Sequence, residues 1–278
     1  MKKLLAALGL LVAPLLNHAA PWAPTLTATA VWQSNASNAD RSADILGDLQ
    51  FRADLAAQQR VSLGRDDSLL LGARLETEAW LRFDGLNRAA LGPTVSWSHK
   101  FGLGPFAPVF SVELAASGVA AQESRRSGLA GSAALTLRKR LDEVTRVSLT
   151  YERARHDARA TLFDRTGEES AASVSRELVP DWNLTATIRY RRGDVLAYST
   201  PPRPDLVALS KIREANSTFD RAFIAYALDA HSLGGGLALS HPLNATSALT
   251  FGYDYRNTTR RPVRYINHLV SAALTHQF

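Results

Sequence analysis

The residues in this 278-residue chain best suited to chemistry are charged side chains spaced two apart. Arg74, Glu76, Glu78 and Arg82 alternate with apolar neighbours. The same spacing recurs around Asp48, Arg52 and Asp54, around Arg189 and Arg191, and at Lys100, Glu113, Arg138 and Glu152 within their own segments. In extended chain, successive side chains point to opposite faces, so each row occupies one face. Opposed rows of cations and carboxylates can line a water-filled passage and set its ion preference, with a slight basic excess favouring anions. The competing use is structural: long Arg and Glu side chains can interlock across a narrow interior and close it, since pairing offsets the cost of burying either charge.

Other chemistries find little support in the spacing. Nucleophilic catalysis needs a hydroxyl within hydrogen-bond reach of a base. None of the seven histidines has a serine two places on, and His231 is followed directly by Ser232, which puts the two side chains on opposite faces of a strand. His156 with Asp157 falls at a predicted loop rim, where a solvated side chain is the simpler reading. The absence of cysteine removes thiol, zinc-finger and redox-motif chemistry and leaves the fold without disulfides. No metal-ligand spacing or phosphate-cradling loop is present, and Gly234 to Gly236 reads as a bulge in a strand. No cofactor is called for.

The N-terminus supplies the compartment. Lys2 and Lys3, an apolar run from Leu4 to Leu16, and Ala19 and Ala20 have the layout of a secretory signal peptide over residues 1–20, with cleavage between 19 and 23. Beyond residue 20, Lys+Arg falls from 32 to 30 against 26 acidic residues, leaving about +4. The basic residues are scattered, which argues against a nucleic-acid partner.

The elements that must carry the charged rows are strands. Leu71, Ala73, Leu75, Thr77, Ala79, Leu81 and Phe83 share one face against Gly72, Arg74, Glu76, Glu78, Trp80 and Arg82. Similar faces recur about every twenty residues, over stretches of ten to sixteen, longer than the ~5–6 of soluble sheets. Short turns are predicted near 65–67, 102–108, 140–144, 179–182 and 242–245. Longer loops are predicted near 35–41, 84–90, 122–127, 158–169, 195–220 and 257–262. Strict interleaving of the two kinds predicts an all-β fold over residues 21–278: a closed antiparallel transmembrane β-barrel of about twelve strands, with short periplasmic turns and longer extracellular loops. Trp32, Trp97, Tyr151, Tyr190, Tyr253, Tyr255 and Phe278 near strand ends suit interfacial girdles. Two stretches fit less well. Residues 170–178 barely alternate, and between Ala222 and Leu239 the apolar phase slips, through either a bulge or a strand that stands above the membrane.

The last strand carries a resemblance. His268, Val270, Ala272, Leu274, His276 and Phe278 share a face, and the chain ends on an aromatic residue. This resembles the C-terminal β-signal of Gram-negative outer-membrane barrel proteins, with Phe278 matching the terminal aromatic and His276 and Leu274 the preceding outward positions. The resemblance implies an outer-membrane location, contact with outer-membrane lipid and lipopolysaccharide, and handling by periplasmic chaperones and the β-barrel assembly machinery. Within that class the expected function is a narrow passive channel for small, possibly anionic solutes. A closed barrel acting through its extracellular loops is the alternative. A lipid hydrolase or protease is a distant third, since the His-x-Ser pair of the outer-membrane phospholipases is missing. The residues expected to line the lumen are Arg52, Arg74, Arg82, Lys100, Arg138, Arg189, Arg191, Glu76, Glu78, Glu113 and Glu152.

Overall fold

A computed structural model of the chain describes residues 22–179 and 181–278; the predicted signal peptide lies outside them. The described strands are β1 (Ala23–Gln33), β2 (Asp48–Ser62), β3 (Asp67–Trp80), β4 (Arg88–Lys100), β5 (Val109–Ala121), β6 (Gly128–Arg140), β7 (Thr145–Ala158), β8 (Arg165–Val179), β9 (Trp182–Ser199), β10 (Ile212–Asn216), β11 (Phe223–Pro242), β12 (Ser247–Arg260) and β13 (Val263–Gln277). Each long strand pairs antiparallel with its neighbour, β9 pairs with β11, and β13 pairs with β1, so twelve strands close into a barrel. The short β10 adds to β11 only.

Register turns the alternation in the sequence into two surfaces. Leu26, Leu55, Leu75 and Leu91 are successive cross-strand partners and form one row on the outer wall. Phe51, Leu114, Leu129, Leu149, Ile188 and Leu237 are among the large apolar residues left exposed on that wall. An apolar belt of this extent is stable where its solvent is hydrocarbon, and closure leaves no strand edge unpaired there. The inner surface near the chain termini is lined by hydroxyls that bond across strands, such as Ser68 to Ser98 (2.8 Å), Ser148 to Ser173 (2.7 Å) and Thr27 to Thr275 (3.1 Å).

The connections depart from the expected lengths. At the end holding both termini they span 63–66, 101–108, 141–144, 180–181 and 243–246. At the other end only 34–47 and 200–222 are long. Much of the loop expected over 158–169 is strand from Arg165 onward, and that expected over 257–262 shrinks to residues 261–262, because ladder pairing continues from Asn257 to Arg260. The stretch 170–178 is strand as well. The expected bulge at Gly234 to Gly236 is absent: Gly234 pairs with Arg256 and Gly236 with Asp254 in unbroken register. A Cβ at Gly236 would sit 2.3 Å from Asp254 Oδ1 and would have to push that carboxylate aside.

The phase slip in β11 has another cause. Its first third is buried on both faces, with Phe223, Ala225 and Ala227 in one apolar cluster and Tyr226 and Leu228 in a second. This part of the β9–β11 ribbon lies beyond the lipid-facing wall. Gly193, at φ +140°, marks where the ribbon leaves that wall; a Cβ there would meet Thr166 O at 2.3 Å. Connection 200–222 contains a short helix, α1 (Pro204–Leu209), whose Leu206 packs in the second cluster.

Candidate functional site

The inward row of charges is real, but its pairing runs along the wall. Arg74 bonds Asp54 on the adjacent strand and lies 3.1 Å from Glu76; Arg88 bonds Glu78 at 2.6 Å. Arg189 bonds Asp254 over the gap left by Gly236, and Glu169 lies 3.9 Å away. Among the described residues, no ion pair between strand residues joins opposite walls. Side chains that interlocked across the interior would form such pairs, so charge pairing does not plug the lumen.

Two cavities occupy the interior. The lower, about 460 Å³, is lined by Arg74, Glu76, Glu113, Glu152 and Glu169 among others. The upper, about 370 Å³, is lined by Arg52, Glu78, Arg126, Asp194 and Arg256 among others. Arg88, His156, Arg165 and Arg191 line both and ring the junction. The lower cavity mixes cations and carboxylates. The upper holds six arginines against two carboxylates, and both carboxylates are engaged, Glu78 with Arg88 and Asp194 with Lys211 at 2.6 Å. Arg165, Arg191 and Arg256 have no carboxylate within ion-pair distance among the described residues. Unpaired guanidinium groups crowded into one chamber repel each other, and an entering anion relieves that repulsion.

The sequence-level candidates divide accordingly. Arg52, Arg74, Glu76, Glu78, Glu113, Glu152 and Arg191 line the cavities, and Arg189 faces inward through its ion pairs. Arg82 does not line them: it follows the end of β3, and its guanidinium lies 4.9 Å from the Phe83 ring. Lys100 and Arg138 sit at strand ends by the periplasmic turns, away from both cavities. The three cations that matter most at the junction and in the chamber, Arg88, Arg165 and Arg256, fall outside the sequence-level set. Arg88 and Arg165 fall inside predicted loops, and Arg256 lies next to the loop predicted over 257–262. The histidines make a different pattern. His231 stacks on Tyr190, His268 on Tyr253, His99 on Trp97 and His241 on Trp182, and His276 meets Phe278 edge-on, extending the aromatic girdle. Only His156, among the described residues, lines the lumen.

The chamber is roofed by the connection that leaves β9. In ring order, the 200–222 connection is four positions from the β1–β2 and β5–β6 connections and six from the β3–β4 connection, which is diametrically opposite. Together with the end of β9 that leads into it, it contacts all three. Tyr198 N donates to Ser37 O (3.0 Å), Arg126 donates to the Tyr198 hydroxyl (2.6 Å) and to Thr218 (3.2 Å), and the rings of Phe219 and Phe83 are 4.8 Å apart. The ribbon therefore crosses the mouth. Two polar latches fix it. Asp44 accepts from Ser199 Oγ (2.6 Å), Thr200 Oγ1 (2.7 Å) and Thr200 N (3.1 Å). Burial alone would raise the Asp44 pKa, but these bonds outweigh it and hold the carboxyl below its ordinary value. Arg203, its side chain 1% exposed, bonds Asp40 at 2.6 and 2.9 Å and Asp205 at 2.9 and 2.7 Å. Its guanidinium holds the Asp205 carboxyl at about 2.

Neither a protein-family model nor a curated protein sequence matches the chain. Its fold is similar to solved outer-membrane barrels. One is an outer-membrane channel from Pseudomonas putida F1, at TM-score 0.62 and 10% identity, covering 96% of this chain and all of that one. Another is the NanC porin, at TM-score 0.50 and 8% identity, covering 91% of this chain and all of that one. The chain thus has the fold of an outer-membrane β-barrel, of a subfamily that these similarities leave open.

Proposed function

We propose that this chain is a passive outer-membrane channel for small solutes with a preference for anions, and that the β9–β11 ribbon restricts its outer mouth. The observation that carries the reading is the upper chamber, where Arg165, Arg191 and Arg256 line a void of about 370 Å³ and form no ion pair among the described residues. The outer-membrane location is supported by the barrel fold and its apolar outer belt, and the functional class by likeness to a channel and a porin.

The test is single-channel recording of the detergent-folded protein in a planar bilayer under a salt gradient. Anion-biased reversal is expected, and Arg165→Gln with Arg191→Gln should reduce it. Substituting Arg74 and Arg189 should do less, since both are already paired with carboxylates. A cation bias, or an anion bias untouched by the first pair, refutes the assignment. The ribbon over the mouth favours a second reading, a closed barrel acting through its outer loops. A folded barrel that never conducts would support it.

A further inference from the structure

The outer wall is indented along β8. The outward residues there are small, Ser170 and Ala172, while their cross-strand partners are large: Tyr151 and Tyr190 flank Ser170, and Leu149 and Ile188 flank Ala172. The groove between them has a volume of about 490 Å³. Its walls are open to the surroundings, with Leu149 and Ile188 each 58% exposed and Tyr190 47%. The weak alternation at the start of 170–178 reflects these small outward residues.

The next outward row toward the outer rim is charged. Arg153, Glu168 and Arg192 are successive cross-strand partners on β7, β8 and β9. They lie on the face opposite Glu152, Glu169 and Arg191, which line the lumen. Glu168 is 4.0 Å from Arg153, with side chains 46% and 66% exposed, a pair too open to commit either group. Arg192 is exposed and forms no ion pair among the described residues. The two arginines flank the groove two strand spacings apart, roughly 10 Å.

This position narrows the occupant. The groove lies in the apolar belt just below a basic rim, so an acyl chain can fill it while the headgroup of the same lipid meets the rim. A second copy fits poorly, because a two-fold axis along the membrane normal holds both copies at one depth and brings arginine rim against arginine rim. A phospholipid with one phosphate engages one arginine. A glycolipid with a phosphate at each end of its sugars engages both through charge-assisted bonds, and a sugar hydroxyl between them can donate to Glu168.

We infer that β7, β8 and β9 form a site for a bisphosphorylated acyl glycolipid of the outer leaflet, the lipid A class, with one chain in the groove and the phosphates on Arg153 and Arg192. Contact with lipopolysaccharide somewhere on the wall follows from an outer-membrane location; a particular site on this sector does not. The site needs the belt to face lipid and is independent of whether the lumen conducts.

Native mass spectrometry of the full-length barrel folded in detergent reads lipid binding directly, with heat-modifiable gel mobility as the check on folding. The probes are bisphosphorylated lipid A, its monophosphorylated form and phosphatidylglycerol. Bisphosphorylated lipid A should bind saturably, one per barrel, and about tenfold more tightly than either other probe, since each of those lacks one phosphate–arginine contact. Arg153→Gln with Arg192→Gln should remove that preference. Ser170→Leu with Ala172→Leu fills the groove yet keeps the wall apolar, and should weaken lipid A binding about tenfold in a folded barrel. If that pair fails to fold, Ala172→Leu alone should weaken binding severalfold. Equal affinity for lipid A and phosphatidylglycerol, a preference untouched by the arginine pair, binding untouched by filling the groove, or a barrel dimer that dissociates when the groove is filled would each overturn the site.

Discussion

Removing the Arg203 guanidinium should loosen the ribbon that closes the mouth while leaving the barrel intact. Arg203 is sealed, at 1% side-chain exposure, but its partners Asp40 and Asp205 are 23% and 35% exposed. Breaking a fully buried pair costs about 3–5 kcal/mol and an exposed one about 0–1. This half-sealed triad should therefore be worth about 2–3 kcal/mol, since water can reach the stranded carboxylates but nothing replaces the four bonds. At 1.4 kcal/mol per factor of ten, Arg203→Ala should raise the opening equilibrium of the ribbon by roughly 30- to 150-fold. Hydrogen exchange on the folded barrel reads this directly, because opening frees the amides of β10 and of the first third of β11, and with them the Lys211 amide just before β10, bonded to Ala227 O at 2.9 Å. Those amides should exchange faster by that factor while β2 and β3 keep their wild-type rates. Unchanged β10 exchange, or equal acceleration throughout the barrel, would refute the latch.

Acid should act on the same ribbon. Both Asp44 and Asp205 have carboxyl pKa values below the ordinary 3.8, with Asp205 held at about 2. A depressed folded-state pKa contributes stability that is fully present above the unfolded value and lost as pH falls through the folded one. Conductance should accordingly stay flat from pH 7 down to about 5 and rise only between about 4 and 2; a rise centred near neutrality would contradict this account. On the outer wall, Leu114→Arg places a cation in the middle of β5, where the leucine is 55% exposed on the apolar belt. If that belt faces lipid, folding into vesicles should lose about 2–4 kcal/mol, measured by denaturant titration, and an unchanged midpoint would show that the belt lies elsewhere.

Strand alternation is the part of this protein most legible in the sequence, and for a physical reason: a wall with lipid on one side and water on the other imposes period two on every residue it contains. Leu71 to Phe83 and His268 to Phe278 could be assigned to faces by counting, and the ring of twelve followed from the number of such segments. The same counting put Arg52, Arg74, Glu113, Glu152 and Arg191 on the inner face. It failed where that constraint ends. At the outer rim the strands run on into water, the apolar pattern loses its period, and Arg88 and Arg165 therefore read as loop residues although both ring the junction of the two cavities.

What the sequence could not decide was which charges are spent. Arg74 and Arg165 look alike in a strand pattern, yet Arg74 is bound to Asp54 while Arg165 forms no ion pair among the described residues. That difference depends on the register between strands, and at Arg189 on the space a glycine leaves in an intervening strand. The course of residues 200–222 was equally open, since their prolines and mixed polarity suit an external loop as well as an inward one. It was decided by contacts with connections that lie far away in sequence, from Ser37, Asp40 and Asp44 to Phe83 and Arg126, which meet only because closing the barrel brings its outer rim into a circle.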